Sequence, residues 1–296
     1  METSVNNLRP SDVTDLPAPG TAAEFAARHG LRRVGARPGP IRYLRQLWER
    51  RHFTMALARS RFIARNQQDR LGMLWNVLSP LIQAAVYATV FGILFTSRPD
   101  NWPAYVVSGV FIFTFSSRAI TEGAKAVTGN AGLVRAVHFP RAVLPITTTL
   151  IQLFRMLPVI AVLFVIVAAT GEPITRSWLL VIPALAVQAV FNLGVAFFTA
   201  RITTHIPDFT QLLPFVMRIF FYTSAIFYEI TRFPESVRPI VELSPIYTYI
   251  ALVRQAVLGD FTPHAFTWYV GGAWAVLALV VGYFFFWQAE ERYGRE

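Results

Sequence analysis

Six stretches of this chain are each apolar for long enough to approach or match a bilayer crossing, and no soluble fold accommodates so many. They run over 74–95, 104–120, 143–170, 178–200, 212–228 and 268–287. A spanning helix needs ~20 largely apolar residues for a ~30 Å hydrocarbon core. The second run is short and ends in Ser116, Ser117 and Arg118. The third holds Pro145, Arg155 and Pro158, and the fifth holds Arg218. Proline inside a span is tolerated because neighbouring helices satisfy the freed carbonyls. Composition agrees: 54% of residues are hydrophobic and only 15% charged, where soluble domains carry roughly 25%. The expected fold is an all-α integral membrane protein with six transmembrane helices over 74–287.

Orientation follows from the basic residues. With the N-terminus inside, 20 of the 27 basic residues fall on the inner side, 13 of them before the first span. Arg98, Arg176, Arg232, Arg238 and Arg254 fall outside. An even span count then puts both termini in the cytoplasm of a multi-pass membrane protein, and the family resemblance given below implies a bacterial plasma (inner) membrane. Trp102, Tyr105, Trp268, Tyr269, Tyr283 and Trp287 fall where interfacial belt residues are expected.

The first 40 residues are polar and rich in Pro and Ala, without the apolar core of a signal peptide. They read as a disordered cytoplasmic tail. Residues 41–73 read as an amphipathic interfacial region: Ile41, Leu44, Trp48 and Met55 fall near one helical face, with Arg42, Arg45, Arg50 and Arg51 largely elsewhere. An ordinary solvated helix is the plainer alternative. Residues 288–296 read as a cytoplasmic tail.

Absent chemistry narrows the function. There is no cysteine, and the single lysine, Lys125, lacks a P-loop around it. No metal site is expected, no catalytic residue, no nucleic-acid partner, and no cofactor bound by this chain. No acidic residue lies inside a predicted span, which disfavours an ion-coupled transporter. The adjacent carboxylates Glu290 and Glu291 read as a solvated helix end, not as the acid/base pair of a membrane glycosyltransferase. The chain therefore reads as a transport subunit, not an enzyme, driven by a partner.

Four blocks then carry a family resemblance. Arg59-Ser60-Arg61-Phe62 leads to Arg70-Leu71-Gly72-Met73-Leu74-Trp75 and Pro80. Asn130-Ala131-Gly132-Leu133-Val134-Arg135 leads to Phe139-Pro140-Arg141-Ala142-Val143-Leu144-Pro145. Tyr222-Thr223-Ser224-Ala225-Ile226-Phe227-Tyr228 closes the fifth span. Leu243-Ser244-Pro245-Ile246 leads to Arg254-Gln255-Ala256-Val257-Leu258. In this order, over roughly 55–292, the chain resembles the ABC-2-type permeases that export polysaccharides. It departs from the family's pattern at Ala64–Gln68, and at Ser224-Ala225, where the family often has Ser-Pro. The resemblance implies a homodimer, two copies of a separate ABC ATPase that binds ATP and Mg, and a channel for a lipid-diphosphate-linked glycan such as an O antigen, a teichoic acid or a cell-wall galactan. It also implies that residues 121–142 couple to the ATPase through Lys125, Arg135, His138, Phe139 and Arg141, joined by Arg59.

A sliding glycan needs flat apolar faces, which aromatic side chains supply. Phe111 and Phe115 lie at i, i+4, Phe191 and Phe198 share a face, and Phe221, Tyr222, Phe227 and Tyr228 close span five. With Arg218 they are the candidate channel lining; lipid-facing or packing roles are the alternative for each. Arg155 reads as an internally bonded residue. Segment 229–267 is too apolar for a free loop and too often broken by proline to span twice. It reads as a re-entrant outer segment of short helices. Competing functions are an exporter of drugs or free lipids, a membrane glycosyltransferase and a passive channel.

Overall fold

The computed structural model describes residues 39–67, 72–96, 98, 99, 101–137 and 139–290. The expected tail before residue 39, His138, residues 68–71 of the first motif block and residues 291–296 lie outside the described residues.

Among the described residues all regular structure is helical. Helices α1 (Pro40–Glu49) and α2 (Arg51–Gln67) precede the first long apolar helix, α3 (Leu74–Leu94). Then come α4 (Trp102–Ala124), a short α5 (Ala131–Ala136), α6 (Val143–Ala169) and α7 (Val181–His205). The chain continues through α8 (Phe209–Thr223), α9 (Arg238–Glu242), α10 (Pro245–Val257) and α11 (Thr267–Gln288). Among the described residues, five helical segments are long and apolar enough to cross a membrane: α3, α4, α6, α7 with the turn before it, and α11.

The fifth predicted span takes a different form. Its helix, α8, has 15 residues, about 22 Å at ~1.5 Å per residue, short of a ~30 Å core. It stops at Ser224, and Ala225 takes a left-handed φ of 49°. Residues 224–228 continue as irregular backbone.

Helix α4 is the centre of the molecule. Of its apolar stretch 78% is buried, against 11% for α3, and it contacts α3, α6, α7, α8 and α10. Gln188 of α7 reaches it, donating to the Ile112 carbonyl at 3.0 Å and the Ser116 hydroxyl at 2.9 Å. Such polar links hold helices together where apolar burial gives no preference over lipid.

The α7–α11 pair packs backbone to backbone. A Cβ on Gly282 would collide with the Gly194 carbonyl, and one on Gly194 with the Ala278 backbone. Ala278 and Gly282 are four residues apart, the small-residue spacing that lets membrane helices approach closely.

At the end bearing α1, three distant segments meet on one carboxylate. Glu290 accepts a hydrogen bond from the Tyr43 hydroxyl at 2.7 Å and from the Arg141 N–H at 2.9 Å. The Arg141 guanidinium lies 3.5 Å away. Tyr43 accepts in turn from the Ala142 N–H, and Tyr283 donates to the Pro40 carbonyl. Glu290 is thus 4% exposed, not the solvated helix end expected from sequence. Residues 288–290 belong to the packed body, because the hydroxyl, N–H and guanidinium replace the water a lone carboxylate would need. Burial pushes the Glu290 carboxyl above its ordinary value, the Arg141 N–H and Tyr43 hydroxyl partly offsetting the rise. Tyr105 and Tyr283, expected in the interfacial belt, are likewise buried, at 3% and 8% exposed.

Candidate functional site

One end of the molecule is organised by Arg254, which the charge count places outside as a loop residue. It lies on α10 and is fully buried. Its guanidinium donates to the carbonyls of Ala225 at 2.9 Å, Ile226 at 3.0 Å and Tyr105 at 3.0 Å. Its carbon sits 3.4 Å from the Tyr105 ring centroid, a cation–π distance. The Ala225 and Ile226 carbonyls are groups that the end of α8 leaves without helical partners. Gly109 of α4 makes the room: a Cβ there would lie 2.7 Å from Nη2 of Arg254. The Tyr105 hydroxyl donates to the Tyr228 carbonyl at 3.0 Å. Arg254 and Tyr105 thus tie α4, α10 and the turn 224–228 into one unit. Nothing local in the sequence signals this, because the partners of Arg254 are backbone oxygens.

Beneath that turn lies an aromatic cluster. Phe227 is 4.4 Å from Phe91, 5.0 Å from Tyr87 and 5.1 Å from Phe221, ring centre to ring centre. Phe113 is 4.8 Å from Phe221. Of the residues expected to line a channel, Phe111, Phe115, Phe191, Phe221 and Phe227 lie in this packed interior of a single chain. They meet other helices of the same chain and present almost no open surface.

The remaining four are more accessible. Phe198 is 38% exposed and stacks on Phe285. Tyr228 is half-buried and donates its hydroxyl to the Tyr222 carbonyl. Arg218 and Tyr222 are exposed on α8. Helix α8 buries Leu213, Met217 and Phe221, spaced four apart, against the body. Helical periodicity then turns Phe215, Arg218 and Tyr222 outward as one stripe, flanked by exposed Leu212 and Ile219. Helix α3 is similarly open, with Ile82, Val86, Val90 and Ile93 exposed. Arg155 is half-buried on α6, in a narrow cavity with Arg118 and Gln152.

At the opposite end, Lys125 ends α4 and is exposed, as are Arg135 on α5 and Arg59 on α2. Phe139 is 5% exposed, clustered with Val134 and Leu144 and 6.0 Å from Phe53 of α2. Arg141 is held by Glu290. Of the six residues expected to couple to a partner, three are therefore exposed cations on this surface, Phe139 and Arg141 are packed inward, and His138 lies outside the described residues. A polar cavity of about 560 Å³ opens beside that surface, lined by Arg61, Glu122, Lys125, Asn130 and Gln152.

Long apolar helices packed around α4, with exposed basic residues at one end and a carbonyl-clamped turn at the other, define a polytopic α-helical membrane protein. The chain matches the ABC-2 type transporter family model over residues 52–258 and belongs to that family. It is 25% identical over 187 residues to an O-antigen export system permease protein, RfbA, of Klebsiella pneumoniae, covering 63% of this chain and 72% of that one. It is 24% identical over 229 residues to the protein of the same name from Myxococcus xanthus, covering 75% and 88%. To the polysialic acid transport protein KpsM of Escherichia coli it is 23% identical over 199 residues, covering 65% and 76%.

Proposed function

We propose that this chain is the membrane subunit of an ATP-driven exporter that carries a lipid-diphosphate-linked polysaccharide from the cytoplasmic to the outer side of a bacterial plasma membrane. Two copies form the conduit and two separate ABC ATPase subunits drive it. The printed functions of the relatives, O-antigen export and polysialic acid transport, support the cargo class. The observation that carries the reading is the exposed stripe Phe215, Arg218 and Tyr222 on a helix otherwise seated on the body. An apolar helix with aromatic faces and one cation suits a path for sugar rings bearing a diphosphate. Arg218 meets the diphosphate or sugar hydroxyls, Phe215 and Tyr222 offer stacking faces, and the buried phenylalanines stiffen the wall behind them.

In this reading both termini are cytoplasmic and the basic surface of Lys125, Arg135 and Arg59 docks on the ATPase. Helices α9 and α10 dip back from the outer surface as the re-entrant segment and gate the mouth, held by Arg254. The test is depletion of the chain in its host. Lipid-linked glycan should accumulate on the cytoplasmic leaflet, and the chain should co-purify with an ABC ATPase. Normal glycan export with accumulation of a drug or free lipid instead would overturn the cargo assignment.

A further inference from the structure

The helices α1 and α2 are pinned to the body on one side only. Tyr43 and Leu47 pack among Ala142, Phe197, Tyr283 and Phe286, and Thr54 and Ala58 are buried further along. The next stripe around, Leu44, Trp48, Arg51 and Met55, at steps of four, three and four, overhangs a groove instead. The groove holds about 530 Å³, and its floor comes from the long helices, including Leu150 of α6, Leu193 of α7 and Phe284 of α11. We propose that this groove binds one anionic phospholipid, with an acyl chain along the floor and the phosphate on Arg51.

Two features of the groove argue for that occupant. Its lining is almost wholly apolar, so water is a poor filler, while a helix lying at a bilayer surface has acyl chains as its abundant apolar neighbours. Arg51, expected from sequence away from the apolar face, is then the anomaly: one permanent cation set in an apolar stripe. Its Nη1 donates to the Trp48 carbonyl at 3.0 Å, and its guanidinium carbon lies 5.0 Å from the Trp48 ring centre, so the charge is held at the groove. Glu49 is the one carboxylate in the described part of α1 and α2, and it is paired with Arg45 at 3.2 Å. The positive charge at Arg51 is left for a group outside these helices, and a lipid phosphate satisfies it in the geometry that guanidinium recognises. The proposal requires only that α1 lie at a bilayer surface, on either side, so it stands or falls separately from the export reading.

Native mass spectrometry of the full-length protein in detergent tests it, with equimolar phosphatidylglycerol and phosphatidylcholine of identical chains. The wild type should retain a single phosphatidylglycerol, preferred about fivefold, the factor one basic residue gives near an anionic surface. Arg51→Gln should bring the ratio to about one and Arg51→Lys should keep a preference. Leu193→Trp, which fills the floor, should reduce retention of both lipids. Arg45→Gln, outside the groove, should match the wild type. No preference in the wild type, an unchanged ratio in Arg51→Gln, or an equal loss in Arg45→Gln would overturn the proposal. Equal retention by every variant would do so too, as expected if residues 1–38 or a second copy fills the groove.

Discussion

Arg254 does for the irregular turn 224–228 what a helix does for its own backbone: it supplies close donors to the buried carbonyls of Ala225 and Ile226. Removing it strands the Ile226 carbonyl and leaves that of Ala225 only the Tyr105 hydroxyl at 3.4 Å, and a stranded buried carbonyl costs about 1–3 kcal/mol. Arg254→Met should therefore lower the thermal unfolding midpoint in detergent markedly. Arg254→Lys should recover little, since an ammonium lacks the planar fork that spans Ala225, Ile226 and Tyr105. Ala225→Gly should leave the midpoint unchanged or raise it, because glycine adopts the φ of 49° without strain. A wild-type midpoint in Arg254→Met would contradict the clamp. Glu290 gives a pH signature at the same scale. Its carboxyl is raised in the folded protein above the ordinary value of 4.5. The protonated form thus favours folding, and that stabilisation is complete below pH 4.5 and lost as pH rises through the raised value. Glu290→Gln should flatten the stability–pH slope just above pH 4.5, whereas Glu290→Ala should lose about 1–3 kcal/mol by orphaning the Tyr43 hydroxyl. Chemical or thermal unfolding across that pH range measures both. Neither residue's role was legible in the sequence. A count of charges by loop treats both as solvated, yet the partners of Arg254 are main-chain oxygens at 105, 225 and 226, and those of Glu290 lie at 43 and 141. Nothing at positions 254 or 290 encodes contacts made at such separation.

Elements were far more readable, because a bilayer demands long apolar runs and the chain supplies them. Spans one, two, three, four and six emerged within a few residues of their predicted limits. The fifth was over-read: Tyr222–Tyr228 is as apolar as a helix, but the turn at Ala225 redirects it and Arg254 satisfies the backbone so exposed. The helix that starts at Pro40 is legible from its periodic apolar residues, whereas the burial of Tyr43 is not. The α7–α11 contact depends on the missing side chains of Gly194 and Gly282. Gly282→Ala should force the two backbones apart and destabilise the protein by about 1–3 kcal/mol, readable as a lower unfolding midpoint. Gly272→Ala, with open space around it, is the matched control and should be neutral. On α8, the absence of native cysteine makes single-cysteine variants clean reporters. Phe215→Cys, on the outward stripe, should cross-link between copies in membranes under oxidation, and Met217→Cys, on the buried face, should not. Cross-linking by both or neither would remove α8 from the proposed dimer path.

The whole molecule is a set of apolar helices that carries a basic face at one end and a locked turn at the other. Candidate channel residues could be nominated from sequence only by type, since an aromatic packs equally well in a core, against lipid or beside a sugar. The structure separated them by exposure, leaving Phe198, Arg218 and Tyr222 open and Phe111, Phe115, Phe191, Phe221 and Phe227 enclosed. The central claim is that this conduit moves its cargo only when a separate ATPase works on it. Reconstitution into liposomes loaded with a lipid-linked glycan, with and without the co-purified ATPase, tests that directly. Glycan should become accessible to an added lectin on the opposite face only when ATPase and ATP are both present. Transfer by this chain alone, or ATP turnover by it without a partner, would contradict the account.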